Sequence, residues 1–247
     1  MPRSTGYARL RQAMLGPAED LDDQRVALVE RWSADPWAYL TGRDLDGSPI
    51  VRTKDEGDKR SPLKPWPEHR HFLRRWVALL DDPAERILVV DKPRQMMFST
   101  STLQYVHWDC LFHYGRRWLL SKRTEDEAAE MLMDKVRFPY SLAPRWLRDV
   151  RPVLDKPRVR VIYPATSSYI LAVAENVATS EARGGTASGV IVDEAAFQGE
   201  TEAIFDAVAP MASKLIIMTT ANLGNPGAAF VRSLVERARE RGTASAA

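Results

Sequence analysis

Three short stretches of this sequence carry residues that could act together on a phosphate. The first is Arg86 to Thr102, RILVVDKPRQMMFSTST. Ile87 to Val90 form an apolar run of the kind that makes a buried strand, an irregular segment with Lys92 and Arg94 follows, and Phe98 with Ser99, Thr100, Ser101 and Thr102 opens a helical pattern. Strand, basic loop and a helix beginning at Ser/Thr is the layout in which backbone N–H groups and a helix N-terminus receive an anion. The string departs from GxxxxGK[ST], because Met97 and Phe98 stand where Gly and Lys belong. The second stretch is the apolar run Val190 to Val192 leading into Asp193 and Glu194. An Asp at the end of such a strand can hold Mg²⁺ beside the Ser or Thr of a phosphate loop, and the following Glu can take a proton from an attacking water. The third is Leu215 to Met218, ending in Thr219, Thr220, Ala221 and Asn222. Each has an ordinary reading, since strand–loop–helix units are common and acidic residues often follow strands. Together they place polar groups on the edge of a sheet where open α/β folds bind ligands.

The elements that must position these residues read as follows. Helices are expected over Tyr7 to Met14 and Asp20 to Trp32, the second with Val26, Val29 and Trp32 on one side. Asp44 to Pro62 is rich in Gly, Asp, Lys and Arg without an apolar period and reads as a mobile loop or linker. In residues 61–82 a Pro-punctuated entry precedes a helix whose Phe72, Leu73, Trp76, Leu79 and Leu80 share a face. Its Arg70, Arg74 and Arg75 form either a solvated face or a phosphate-contacting one. The helix from Ser99 should run toward His113 and stop at Gly115. Trp118 to Leu120 make a strand ending in Ser121 and Lys122, and Thr124 with Glu127 forms a capping box for a helix carrying Ala128, Met131, Leu132 and Val136. Residues 158–163 and 169–173 suggest a hairpin, 174–189 a loop, Thr201 to Val208 a short helix, and Phe230, Leu234 and Ala238 a final amphipathic helix. Parallel strands are thus expected near 86–90, 117–121, 189–193 and 214–219, in a three-layer α/β fold with their C-terminal ends on one cleft.

Composition bounds the rest. The 247 residues, 45% apolar and 28% charged, suit one large domain or a domain with a small appendage. A net charge of +2 leaves any nucleic-acid affinity to local patches. The single cysteine, Cys110, excludes an internal disulfide and a cysteine-built zinc site and reads as a buried core thiol. No apolar run reaches membrane-spanning length and the N-terminus lacks an apolar leader, so a soluble intracellular chain without a membrane partner is expected.

At this point the sequence resembles the large terminase subunit of tailed bacteriophages, the motor that pumps DNA into the capsid. The resemblance covers the ATPase half, roughly residues 61–225. It rests on the Arg-Gln-containing loop Lys92, Pro93, Arg94, Gln95, Met96, Met97, Phe98, Ser99 and Thr100, and on Ala182-Arg183-Gly184 ahead of Val192-Asp193-Glu194-Ala195-Ala196-Phe197. Thr219-Thr220-Ala221 resembles the coupling motif, which Asn222 extends. The resemblance implies a three-layer P-loop NTPase of the RecA/ASCE type, with ATP and Mg²⁺ bound at the loop, Ser99 and Asp193 as metal ligands, and Glu194 as general base. Lys92 would supply the phosphate lysine from the front of the loop, as some terminases do, and Arg183 would be an arginine finger reaching a neighbouring subunit, or else a surface arginine. Pro65-Trp66-Pro67-Glu68-His69 resembles the adenine-contacting motif, with His69 at the Gln position and Trp66 equally suited to the core. Met97 restricts φ where the common pattern has Gly, and Pro93 removes one N–H donor.

The implied division is a helical arm and loop over 1–60, the ATPase core over 61–225 and a C-terminal helix and tail over 226–247. The family's nuclease domain has no counterpart here, so no DNA cleavage is expected. The implied partners are double-stranded DNA held through its phosphates, a homo-oligomeric ring on a portal and procapsid, and a small terminase subunit, in the cytoplasm of an infected bacterium. The rival readings are a helicase-like ATPase and a nucleotide-binding, ring-forming scaffold whose Met97 and Phe98 have removed turnover.

Overall fold

The structure, a computed structural model, describes residues 23–53, 64–92, 96–154, 157–183, 187–220, 224–225 and 227–240. The expected helix at Tyr7 to Met14 lies outside them, as do residues 54–63. In chain order, α1 (Asp23–Ala34) and α2 (Pro36–Leu40) precede a two-stranded hairpin of β1 (Arg52–Thr53) and β2 (Lys64–Pro65). Then come α3 (His71–Asp81), β3 (Ile87–Asp91), α4 (Phe98–Phe112), β4 (Arg117–Lys122) and α5 (Glu125–Leu132). A π-helical turn (Met133–Arg137) leads to α6 (Phe138–Ser141) and α7 (Arg145–Val150). The chain continues through β5 (Arg160–Tyr163), β6 (Ser168–Ala174), α8 (Glu175–Arg183), β7 (Gly189–Asp193), α9 (Thr201–Val208), β8 (Lys214–Thr219) and α10 (Ala228–Glu240).

The main sheet has the order β3-β8-β7-β4-β6-β5, parallel throughout except for β5, which pairs antiparallel with β6 as the expected hairpin. Period-two alternation sorts the strand residues into two cores. Leu120, Ile170, Ala172, Ile191, Ile216 and Met218 face the core shared with α1 to α7. Leu119, Val173, Val190, Val192, Leu215 and Ile217 face the one shared with α8, α9 and α10. Helices on both faces of a mainly parallel sheet make the expected three-layer architecture. The close fit between β4 and β7 depends on Gly189, where a Cβ would lie 2.2 Å from the Trp118 ring.

Two expectations are corrected. The loop expected over 174–189 contains α8. Among its described side chains the one fully buried apolar residue is Ala178, too small to give a legible period, and its start is tied to the segment before α9 by the Glu200 N–H donating to Glu175 Oε2 at 3.1 Å. Packing makes this helix more than local preference does. The loop expected from Asp44 is partly folded, since Ile50 and Val51 are buried and Trp146 Nε1 donates to Asp44 Oδ2 at 2.9 Å. The Trp146 contact comes from an element about a hundred residues away, which no local pattern shows.

The helix that opens at the phosphate-loop candidate is nearly all buried, so its polar residues need internal partners. Trp118 Nε1 donates to Asp109 Oδ2 at 2.8 Å, and His107 Nδ1 lies 2.8 Å from the Tyr163 hydroxyl. Burial pushes the His107 pKa down from 6.5 to about 3. Below pH 6.5 the unfolded chain takes up a proton that the folded chain refuses until near pH 3, so the fold loses stability across that window as pH falls. His107→Gln is expected to remove about 2 kcal/mol of the stability loss between pH 7 and pH 5. Denaturant unfolding of parent and variant at the two pH values checks this, and equal pH dependence of the two would refute it. Elsewhere Lys214, at the start of β8, caps the end of α3 by donating to the carbonyls of Leu80 and, at 3.0 Å, Asp82.

Candidate functional site

The site begins where β3 ends. Residues 93–95, including the candidates Pro93, Arg94 and Gln95, lie outside the described residues, and the chain is described again from Met96. Met97 takes the left-handed conformation, φ 61° and ψ 13°, immediately before α4. This is the position where the common phosphate loop has Gly, and the backbone conformation a Gly would supply is adopted by a methionine whose side chain is buried. Ser101 N–H then donates to Met97 O at 2.8 Å and closes the first turn of the helix. Phe98 packs against Phe72 and Trp76, with ring centroids 5.9 and 5.5 Å away. It is buried beneath the helix start and borders the cleft together with Ser99.

Because β8 separates β3 from β7 in a parallel sheet, the residues ending β3 and β7 share one edge. There the Lys92 ammonium lies 2.7 Å from Asp193 Oδ1 and also donates to Ser99 Oγ, while Ser99 Oγ donates to Asp193 Oδ1 at 3.0 Å. The Lys92 and Asp193 side chains are 11% and 4% exposed, so this is a largely buried ion pair, costly to break by removing one partner. Lys92 N–H donates to Thr219 O at 2.8 Å, which ties the loop to the end of β8. Thr219 Oγ1 accepts from Ala196 N–H at 3.2 Å, and Thr220 lines the cleft; Asn222 lies outside the described residues.

Glu194 has a left-handed backbone, φ 58°, at the turn from β7 into a short 3₁₀ segment. Its carboxylate is half exposed, and Oε2 accepts from Lys122 Nζ at 2.9 Å. Lys122 Nζ is also 3.7 Å from Asp193 Oδ2. Burial opposes the Lys122 charge, but the Asp193 and Glu194 carboxylates overcome it and hold its pKa above the ordinary lysine value. The sequence reading missed Lys122 as a site residue. Its position at the C-terminal end of a parallel strand, on the edge that carries Lys92 and Asp193, was the available signal. Gln198 was also missed: fully buried, it donates from Nε2 to Asp193 O at 2.7 Å and accepts at Oε1 from Ser121 Oγ at 3.1 Å. It thereby locks the ends of β7 and β4 together.

These groups border an open cleft of about 820 Å³, whose other wall is built by α5 and the π turn, with Glu127, Glu130, Met131 and Lys135 among its residues. Ser99 Oγ and Asp193 Oδ1 are hard oxygen donors already converging on a cation, the Lys92 ammonium. That donor set fits Mg²⁺, which binds through one or two carboxylates and substrate phosphates and keeps several waters. Thr100 follows Ser99 on α4 and is buried. Trp66 lies in the core and His69 is exposed, and neither lines the cleft. Arg183 ends α8; its side chain and residues 184–186 are outside what is described. Among the described residues, no helix is long and apolar enough to cross a membrane.

No protein-family model and no curated protein matches this sequence. Solved structures do. The HK97 bacteriophage large terminase matches over 85% of this chain and 42% of its own, with 13% identity and a TM-score of 0.55. The large terminase ATPase domain of Thermus phage P74-26 matches over 65% of this chain and 67% of its own, with 20% identity and a TM-score of 0.47. The large terminase of a thermophilic bacteriophage, solved in complex with ADP, matches over 60% of this chain and 37% of its own, with 15% identity and a TM-score of 0.43. The match therefore spans less than half the length of the HK97 protein and of the ADP-bound one. The three-layer fold of this chain, with Lys92, Ser99 and Asp193 meeting at the C-terminal edge of its sheet, is similar to that of a phage large terminase.

Proposed function

We propose that this chain is the ATP-hydrolysing motor domain of a viral DNA-packaging terminase, which couples hydrolysis to translocation of double-stranded DNA into a procapsid. The observation that carries the reading is the convergence of Lys92, Ser99 and Asp193, with Glu194 beside them, at the C-terminal edge of a parallel sheet. Lys92 and the N-terminus of α4 receive the phosphate chain. Ser99 and Asp193 hold Mg²⁺, which when bound neutralises charge on the β- and γ-phosphate oxygens. Glu194 accepts a proton from the water that attacks the γ-phosphorus, as the bond from that phosphorus to the β-phosphate oxygen breaks and ADP leaves. Lys122 holds Glu194 and Asp193 in place until substrate enters.

Arg183 acts on the ATP of a neighbouring subunit in a ring seated on a portal, and Thr219, Thr220 and Asn222 relay the state of the site. Double-stranded DNA is gripped through its phosphates, with a small terminase subunit as partner at initiation, in the cytoplasm of the infected host. The test is phosphate release from MgATP across rising protein concentrations, with and without duplex DNA. The specific rate is expected to climb with protein concentration as neighbours supply Arg183, and duplex affinity to be independent of sequence and to fall steeply with salt. MgATP binding with no hydrolysis at any concentration would favour the scaffold reading, and no binding at all would refute a nucleotide site.

A further inference from the structure

The helical run that forms the far wall of the cleft contains a proline, Pro139, at the second position of α6. In a continuous α-helix the N–H of residue 139 would bond the carbonyl of Lys135, and proline has no N–H to give. The chain answers in two ways. The helix widens into the π turn, with the Phe138 N–H donating to Met133 O, and the Lys135 carbonyl accepts from Gln104 Nε2 of α4 at 2.5 Å. Gln104 is 2% exposed, so its amide is committed to this bond. Arg137 anchors the far side of the turn by donating to Pro157 O at 2.9 Å. Fixed in this way, Lys135 extends its ammonium to Thr100 Oγ1, 3.2 Å away, at the residue that follows Ser99 in the first turn of α4, and keeps the exposed Asp134 carboxylate at a longer 3.8 Å. It lines the same cleft as Lys92 and Lys122. A π turn that aims one cation at the opening of an anion-receiving helix is a functional placement more than a packing one.

We propose that Lys135 is a third phosphate-contacting cation of the cleft, positioned by Pro139 and Gln104, and that it grips the nucleoside-proximal part of the phosphate chain. This rests on the nucleotide reading of the cleft. Lys92 and Lys122 are bonded to the carboxylates Asp193 and Glu194, where metal, water and the transferred group belong. The Lys135 ammonium lies one residue further along α4, at Thr100. A contact made there is the same with ATP, with ADP and in the transition state, so its loss falls on binding.

The experiment measures MgATP and MgADP affinity, KM and kcat for the parent, Lys135→Met, Lys135→Gln and Lys135→Arg, with thermal melts to confirm folding. The methionine and glutamine variants are expected to bind both nucleotides about ten- to a hundredfold more weakly, with the loss in KM rather than kcat, and arginine to recover most of the affinity. Folded variants with parent affinity would show that Lys135 merely caps Thr100 and would overturn the proposal. A fall in kcat at unchanged KM would overturn it too, by placing the ammonium on the transferred group. Failure of the parent to bind either nucleotide would instead refute the nucleotide reading itself, and this assignment with it.

Discussion

Glu194→Gln is expected to bind MgATP with parent affinity and to turn it over about a hundred to ten thousand times more slowly, the range that loss of a positioned general base produces. The fold should tolerate the change. Glu194 is half exposed, its left-handed backbone is equally open to glutamine, and the amide oxygen can still accept from Lys122 Nζ, which now lies 2.9 Å from Oε2. The amide differs from the carboxylate in the one property at issue, its inability to take a proton. Nucleotide affinity by titration and turnover in a single set of preparations separate the outcomes. If affinity falls as far as rate, Glu194 holds the site together and is not its base.

The second large effect belongs to Lys92. Among the described residues its ammonium is the one that meets both Ser99 Oγ and Asp193 Oδ1, and the backbone on which it sits is tied to β8. Removing a charge that strengthens its hold toward the transition state costs on the order of 2–4 kcal/mol, so Lys92→Ala should lower the rate by roughly tens to a thousandfold. Alanine also takes from Asp193 the nearer of the two described lysines that face it, although Lys122 remains 3.7 Å from the other carboxylate oxygen. A thermal melt therefore belongs beside the rate. Phe98→Lys in the same background should not restore activity, because the Phe98 side chain is packed against Phe72 and Trp76, a buried aromatic setting that opposes an ammonium. Parent rates in Lys92→Ala together with an inactive Arg94→Ala would show that Arg94 carries the phosphate.

The amino-acid sequence by itself determined the strands and their chemical ends. Apolar runs bounded by polar residues identify β3, β4, β7 and β8, and a parallel sheet must collect their C-terminal ends on one side, so Lys92, Ser99, Asp193, Glu194 and Thr219 could be assigned together. Only the tertiary structure decided the rest, because it depends on pairings between residues far apart in the chain. The insertion of β8 between β3 and β7, which sets the span across which Lys92 reaches Asp193, is a matter of strand order, and no local pattern encodes order. Lys122 stands at a strand end on the same edge, but its contacts with Asp193 and Glu194 exist only because β4 lies beside β7. The left-handed backbone of Met97 is held by burial of its side chain against the core, so a methionine can occupy what the motif reserves for glycine. α8 needed its packing partners to exist, since its described side chains bury one alanine completely. Trp66 was open between core and site, and the depth of the fold around β2 and α3 placed it in the core.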